Sequence, residues 1–187
     1  MLHLFATHRM PLCLAMVPAW LTTTRFAEIA PHLAGPEENW CCHQHGWRHA
    51  NHARSGKKNE FGKERTQAQQ LSDLRAGQRR LQSILSGRFA PFFTPPWNRC
   101  SDTCFSALAE LGFTALSRSA GEQRNHPASR LPDFTINVDL HTRREAQPEA
   151  AQAALADEFQ QATAHGMIGV MLHHQRMNEA AFELLDG

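Results

Sequence analysis

The chain has 187 residues, of which 42% are hydrophobic and 20% are charged, and its formal net charge is +1. This length suits one domain with a buried core, and the composition excludes a disordered or fibrous protein. A net charge close to zero gives no electrostatic reason to bind nucleic acid or an anionic membrane. We therefore expect a single domain over residues 1–187 without a nucleic-acid partner.

The N-terminal stretch MLHLFATHRMPLCLAMVPAWL is apolar but is interrupted by His8, Arg9 and Pro11. It lacks the basic start, the continuous apolar core and the small-residue cleavage site of a signal peptide. No later run reaches the ~18 apolar residues that a membrane-spanning helix requires. We expect a cytoplasmic protein without a membrane span.

Short apolar runs alternate with helical patterns along the rest of the chain. The predicted strands are LCLAMV from Leu12, WCCHQH from Trp40, FAPFFT from Phe89, FTALS from Phe113, FTINVD from Phe134 and MIGVML from Met167. The predicted helices cover Thr22 to Leu33, Glu60 to Leu85, Ser101 to Leu111, Pro148 to His165 and Asn178 to Leu185. This alternation predicts an α/β domain with a mainly parallel sheet.

Local signals support some of these boundaries. Ser101 is a good N-cap residue for the helix that follows it, and Gly112 is a good stop. Two polar stretches, Ala53 to Glu64 and Ser119 to Pro132, read as exposed loops.

The chain contains five cysteines, which are Cys13, Cys41, Cys42, Cys100 and Cys104. An odd number with an adjacent pair fits neither a disulfide framework nor a Cys-x-x-Cys zinc site. We expect free, buried thiols and a reducing compartment.

Polar residues stand at or just past the ends of four predicted strands, at His45, Thr94, Asp139 and His173. Active sites of parallel α/β folds gather at the carboxyl ends of the strands. These four residues are therefore expected to converge in one cleft.

The stretch HQHGWRHANH contains His45 and His49, four residues apart. Two imidazoles reach one metal ion, at about 2.1 Å each, only if the chain turns between them, and Gly46 permits that turn. Helical zinc peptidases have a glutamate after the first histidine, where this chain has Gly46, so the sequence fits that class poorly. Taken alone, the pair fits a solvated histidine-rich loop better than a metal site.

Other strand-end residues have a chemical and an ordinary structural interpretation. His173 is suited to act as a general acid or base near neutral pH, with Asp139 as an orienting carboxylate. Trp97, in FTPPWN, is suited to line a sugar site, although tryptophan serves equally in core packing.

The ordered segments HGWRH, FTPPWN, NVD and MLHH resemble the polysaccharide deacetylase family, the NodB-type carbohydrate esterases, from about Pro11 to the C-terminus. The resemblance implies an incomplete (β/α) barrel that removes N- or O-acetyl groups from acetylated carbohydrates with a divalent metal ion, usually zinc. By motif, it implies His45 and His49 as metal ligands, His173 and Asp139 as catalytic residues, and Trp97 and Asn98 as substrate-binding residues. Participation of His52 or His174 stays open.

The sequence departs from the family pattern in two places. The family's first strand ends in a pair of aspartates, but no aspartate precedes Asp73 here, so we expect that strand to be missing. Thr94 stands where the family enzymes usually carry an arginine. The leading hypothesis is thus a metal-dependent deacetylase that is impaired in this form. The alternatives are a non-catalytic carbohydrate-binding homologue and a small-molecule amidohydrolase.

Overall fold

The computed structural model describes residues 1–33, 39–119, 131–140 and 146–186. The strands in these ranges are β1 (Leu12–Met16), β2 (Trp40–His45), β3 (Phe89–Thr94), β4 (Ala115–Ser119), β5 (Asp133–Ile136), β6 (Val138–Asp139) and β7 (Val170–Met171). The α-helices are α1 (Leu2–Thr7), α2 (Thr23–Ile29), α3 (Gln67–Leu85), α4 (Asp102–Glu110), α5 (Pro148–Ala164) and α6 (Glu179–Asp186).

Strands β1 to β5 form one parallel sheet in chain order, and β6 pairs with β7 in a second, two-stranded parallel sheet. The five-stranded sheet curls into a half-barrel, which confirms the predicted incomplete (β/α) barrel. In the ranges described above, no helix is both long enough and apolar enough to cross a membrane.

The main core lies between the outer face of the half-barrel and helices α3 and α4. It is built from buried side chains such as Phe61, Leu74, Phe93, Leu108 and Leu116. Burying one such side chain stabilises a fold by about 1.5–3 kcal/mol. Because side chains alternate along a strand, the opposite face of each strand points into the half-barrel.

Strand β2 shows this alternation clearly. Trp40, Cys42 and Gln44 are buried on the outer face, whereas His43 and His45 alternate with them. The pairing of β2 with β1 and β3 therefore places both histidines on the concave face of the sheet.

Strands β2 and β3 have their predicted bounds, and β1 lacks only the last predicted residue. The prediction of one strand over FTINVD was wrong, because the chain leaves the first sheet at Asn137 and enters the second. The Asn137 amide donates to the Met167 carbonyl and accepts from the Gly169 N–H. These bonds fix the crossing point. The predicted strand over MIGVML is reduced to Val170–Met171 for the same reason.

Helix α3 begins at Gln67 and not at Glu60, so that prediction was wrong at its N-terminal end. Thr66 and Gln69 form a capping box in which each side chain bonds the backbone N–H of the other residue. These two bonds provide acceptors for two N–H groups that have no partner within the helix, and they fix the position of its first turn.

The predicted exposed loop from Ala53 to Glu64 contains three buried residues, Glu60, Phe61 and Gly62. Phe61 joins the main core, and Glu60 bonds to the neighbouring turn. The second predicted loop, Ser119 to Pro132, lies mostly in 120–130, outside the described residues.

The expectation of five free thiols was wrong. Cys13 of β1 and Cys41 of β2 form a disulfide, with their Cα atoms 4.4 Å apart. The two residues are direct register partners in the parallel pair, so the sheet itself brings them together. Spacing along the chain gives no sign of this pairing. Cys42, Cys100 and Cys104 are free.

Candidate metal centre

The carboxyl ends of three strands meet at one edge of the molecule. His45, the last residue of β2, is the register partner of Thr94, the last residue of β3. The Asn98 amide, just beyond β3, lies 3.8 Å from the Met171 sulfur of β7. His173 follows β7 by two residues, so the predicted convergence of these strand ends is present.

The orientation of the His45 ring is set by one hydrogen bond. Its Nδ1 lies 2.9 Å from the Thr94 carbonyl oxygen, which only accepts, so Nδ1 carries the proton and Nε2 keeps its lone pair. Burial lowers the pKa of His45 to about 4, against the effect of this hydrogen bond and with smaller contributions from His49 and His173. The imidazole is thus neutral at pH 7, as a metal ligand must be.

Gly46 makes the turn that follows β2. Its φ of +67° lies in the left-handed region that favours glycine. A Cβ at this position would lie within 2.1 Å of a Glu60 carboxylate oxygen and 2.5 Å of Pro96. Glycine is therefore required here both by conformation and by space.

Glu60, which lies in the next loop of the chain, binds the backbone of the turn that follows Gly46. Its buried carboxylate accepts hydrogen bonds from the backbone N–H groups of Trp47, Arg48 and His49, at 3.2, 2.8 and 3.2 Å. Three donors compensate for much of the cost of burying a charge. The position of His49 thus depends on a carboxylate from the next loop.

The His49 ring is surrounded by aromatic side chains. Its centroid lies 5.1 Å from that of His45, 4.4 Å from Trp97 and 5.7 Å from Trp20. Trp20 is 54% exposed. Two tryptophans therefore flank the histidine pair on the open side of the half-barrel.

Three residues of this region have an unusual backbone conformation. His49, Trp97 and Asn98 have φ values of +56°, +55° and +60°. Such conformations cost about 1–3 kcal/mol each and persist where surrounding contacts impose them, often at functional sites. All three strained residues are predicted ligand or substrate-binding residues.

Thr94 contacts a second histidine as well as His45. Its hydroxyl lies 2.8 Å from Nε2 of His43, which lies on the concave face one pleat before His45. Burial, and secondarily His45, lowers the pKa of His43 to about 3. The residue at the family's arginine position here positions two neutral imidazoles.

Asp139 and His173 lie at the ends of the paired strands β6 and β7. Asp139 is the register partner of Met171, and its backbone N–H donates to the Glu158 carboxylate of α5 at 3.1 Å. His173 is exposed. The two residues are thus near neighbours in the fold, and their catalytic roles stay predictions.

Comparison with known proteins gives one informative match. No family model and no curated protein matches the sequence. The crystal structure of a "putative polysaccharide deacetylase" from Mycobacterium smegmatis superimposes with a TM-score of 0.68 at 13% identity. The match covers 98% of this chain and 67% of that one.

This chain has the polysaccharide deacetylase fold. At 13% identity the likeness concerns the fold alone, so the chemistry of the site depends on the residues described above.

The ligand set of this deacetylase fold can be compared with the needs of a zinc ion. His45 and His49 are suitable donors, and the carbonyl bond to His45 is the kind of outer contact that orients zinc-bound histidines. Catalytic zinc sites have three protein ligands. Across the described ranges, no group of three or more His, Cys, Asp and Glu side chains is arranged to hold a metal ion. The pair fits zinc in donor type, and His45 also in ring orientation, but it supplies two ligands.

Sequence reasoning missed three contributors to this region, which are Glu60, Trp20 and His43. Glu60 lies in a polar loop, and Trp20 follows a strand by four residues, so neither has a local pattern that marks it. His43 could have been found, because it is two residues before His45 and therefore on the same face of a predicted strand.

Proposed function

We propose that this protein is a metal-dependent hydrolase of the deacetylase type that removes acetyl groups from N- or O-acetylated sugars. The observation that carries the proposal is the placement of His45 and His49, two imidazoles side by side at the end of β2. The fold supports the same reaction class, and Trp20 and Trp97 offer flat apolar walls suited to sugar rings.

His45 and His49 would hold the divalent ion, most simply zinc, with the remaining positions open to water and substrate. When bound, the ion supplies polarisation of the acetyl carbonyl and a lowered pKa for water. His45 stays neutral and oriented through Thr94, and His49 is held in place by Glu60 through its backbone.

His173 would donate a proton to the departing amine or alcohol of the sugar, with Asp139 orienting it from the neighbouring strand. General acid catalysis of this kind contributes about 10²–10⁴-fold to the rate. Trp97 and Asn98 would contact the sugar.

Acetate release from N-acetylated chito-oligosaccharides tests this proposal. Zinc-loaded protein is expected to release acetate, and His173→Gln to reduce the rate by at least about 100-fold. His32→Ala, an exposed histidine outside the site, serves as the matched control and should keep full activity. The proposal is contradicted if the rate of acetate release is unchanged in His173→Gln or in the double variant His45→Ala/His49→Ala.

A second candidate function is glycan binding without hydrolysis. It is favoured by the two tryptophans beside the histidine pair and by the described residues, which supply no third ligand next to His45 and His49. Quenching of tryptophan fluorescence by chito-oligosaccharides, lost in Trp97→Ala and accompanied by no acetate release at any zinc concentration, would establish it instead.

A further inference from the structure

A second cluster of metal-ligating side chains lies on the same concave face, before His45 along β2. Cys41 and His43 are two residues apart on β2, and Cys13 lies opposite Cys41 on β1. Nδ1 of His43 is 3.2 Å from the Cys13 sulfur. All three side chains therefore project from the same face of two adjacent strands.

We propose that reduction of the Cys13–Cys41 disulfide opens a second metal site, which binds zinc or a similar divalent ion through Cys13 Sγ, Cys41 Sγ and His43 Nδ1.

The distances suit such a site. Tetrahedral zinc, with bonds of about 2.3 Å to sulfur and 2.0–2.1 Å to nitrogen, has ligand atoms about 3.5–3.8 Å from one another. The nitrogen of His43 is already 3.2 Å from the Cys13 sulfur. Breaking the disulfide lets the two sulfurs move apart by about 2 Å, which small side-chain rotations supply.

The surroundings orient the histidine for this role. Nε2 of His43 is 2.8 Å from the Thr94 hydroxyl, and Nδ1 faces the Cys13 sulfur. While the disulfide is closed this sulfur has no proton, so Nδ1–H donates to it and Nε2 accepts from the hydroxyl. On metal binding the ring proton moves to Nε2, the hydroxyl accepts from it, and the Nδ1 lone pair is available to the ion. A hydrogen bond to the second ring nitrogen is the usual outer contact of a metal-bound histidine. Cys13 is exposed, so an ion has access from solvent.

The chemistry requires a two-electron reductant of the thiol or phosphine class. The S–S bond breaks, each sulfur takes one electron and one proton, and two thiols of the reductant join as a disulfide, or a phosphine gains the oxygen of one water. Binding of the divalent ion then displaces both thiol protons. With the disulfide closed, the sulfurs are bonded to each other.

The test uses the full chain and Co²⁺ as the probe, because cobalt bound to thiolate has a charge-transfer absorption that cobalt bound to histidine alone lacks. Protein reduced with a phosphine, which is then removed, should bind one more equivalent of Co²⁺ than oxidised protein and should show this absorption. His45 and His49 supply no sulfur. The absorption therefore persists in His45→Ala, and it reports on this site whether or not the proposed deacetylase function holds.

Variants are compared in the reduced state, where loss of the disulfide is common to all. We expect no added equivalent of Co²⁺ in Cys13→Ser, Cys41→Ser or His43→Ala. Thr94→Val should lower the affinity of the site for Co²⁺ by about 10- to 100-fold. The matched control is Cys100→Ser, which removes a thiol that is free in both states and should change nothing. The proposal is overturned if reduction adds no cobalt, or if the absorption survives in Cys13→Ser and Cys41→Ser.

Discussion

Glu60 holds the turn that carries His49, although it lies eleven residues further along the chain. Glu60 is 1% exposed, and a buried charge of this kind is tolerated only when it is well hydrogen-bonded. Without Glu60, the three backbone N–H groups that donate to it would lose their carboxylate acceptor. One side chain therefore links the stability of the loop to the geometry of the candidate metal centre.

Replacement of Glu60 tests this link. Glu60→Ala should lower the free energy of unfolding by about 2–5 kcal/mol, because buried N–H donors lose a charged acceptor. It should also weaken zinc binding, since His49 is no longer held. Urea unfolding and zinc titration measure the two effects, and the exposed Glu64→Ala is the control from the same loop. Equal stability of the two variants would contradict this role.

Gly46 and Gly56 provide a matched pair for the tight turn. Both have a positive φ, but a Cβ would collide with Glu60 and Pro96 only at Gly46, whereas nothing lies within 4 Å at Gly56. Gly46→Ala should therefore cost about 3 kcal/mol or more, and Gly56→Ala about 1 kcal/mol, in thermal or urea unfolding. Similar costs would show that close packing at Gly46 does not matter.

The two buried histidines predict a pH dependence of stability. The pKa values of His43 and His45 fall to about 3 and about 4 in the folded protein, from 6.5. Between about pH 6.5 and pH 4 the unfolded chain binds more protons than the folded one, so stability is fully present above pH 6.5 and declines as pH falls. Each histidine contributes up to about 1.4 kcal/mol per pH unit.

Urea unfolding of metal-free protein at pH 5, 6 and 7 measures this slope. His43→Gln should remove about half of the histidine contribution, and His165→Ala, an exposed histidine, should leave the slope as it is. A slope that is unaffected by His43→Gln would show that this histidine is not held neutral.

At the residue scale, the sequence predicted the candidate ligands but not what holds them. His45 and Gly46 follow an alternating apolar run, so their place at a strand end is a local property. Glu60 lies in a polar loop, and its burial depends on a partner turn that is close only in the folded chain. Contacts of this kind leave no periodic pattern in the sequence.

At the scale of elements, β1 is joined to β2 by backbone pairing and by the Cys13–Cys41 disulfide. The disulfide closes a loop with a sequence separation of 28 residues. Closing a loop of that length removes conformational entropy from the unfolded chain that corresponds to about 3–4 kcal/mol. The edge strand of the half-barrel is thus secured covalently.

Reduction should therefore lower the stability of metal-free protein by about 3–4 kcal/mol, measured as the shift of the urea midpoint with and without a phosphine. The double variant Cys13→Ser/Cys41→Ser should be insensitive to the phosphine. If the reductant does not shift the urea midpoint of the unmodified protein, the disulfide does not stabilise the fold at β1.

Strands β1, β2 and β3 were predictable to within one residue, β4 (Ala115–Ser119) is shifted by two residues from the predicted FTALS, and the divided strand was not predicted. WCCHQH and FAPFFT lie within one sheet and match their predicted bounds. FTINVD is equally apolar, but the side chain of Asn137 bonds the segment before β7 and turns the chain into the second sheet. Which of two sheets a short strand joins is decided by such tertiary contacts and not by its own pattern.

At the scale of the whole molecule, the order of four motifs along the chain predicted a fold that a crystal structure at 13% identity matches. The candidate site combines the ends of β2, β3 and β7 with Trp20, which follows β1. The strand ends follow from the rule for parallel sheets. Trp20, Glu60 and the disulfide follow only from the folded arrangement.

The central claim is that His45 and His49 together bind a divalent metal ion, and zinc binding by the oxidised, metal-depleted protein tests it most directly. With the disulfide closed, calorimetric titration should give one equivalent of zinc for the unmodified protein and for the His32→Ala control. His45→Ala and His49→Ala should each abolish it. Zinc binding that is equal in all four proteins would contradict the assignment.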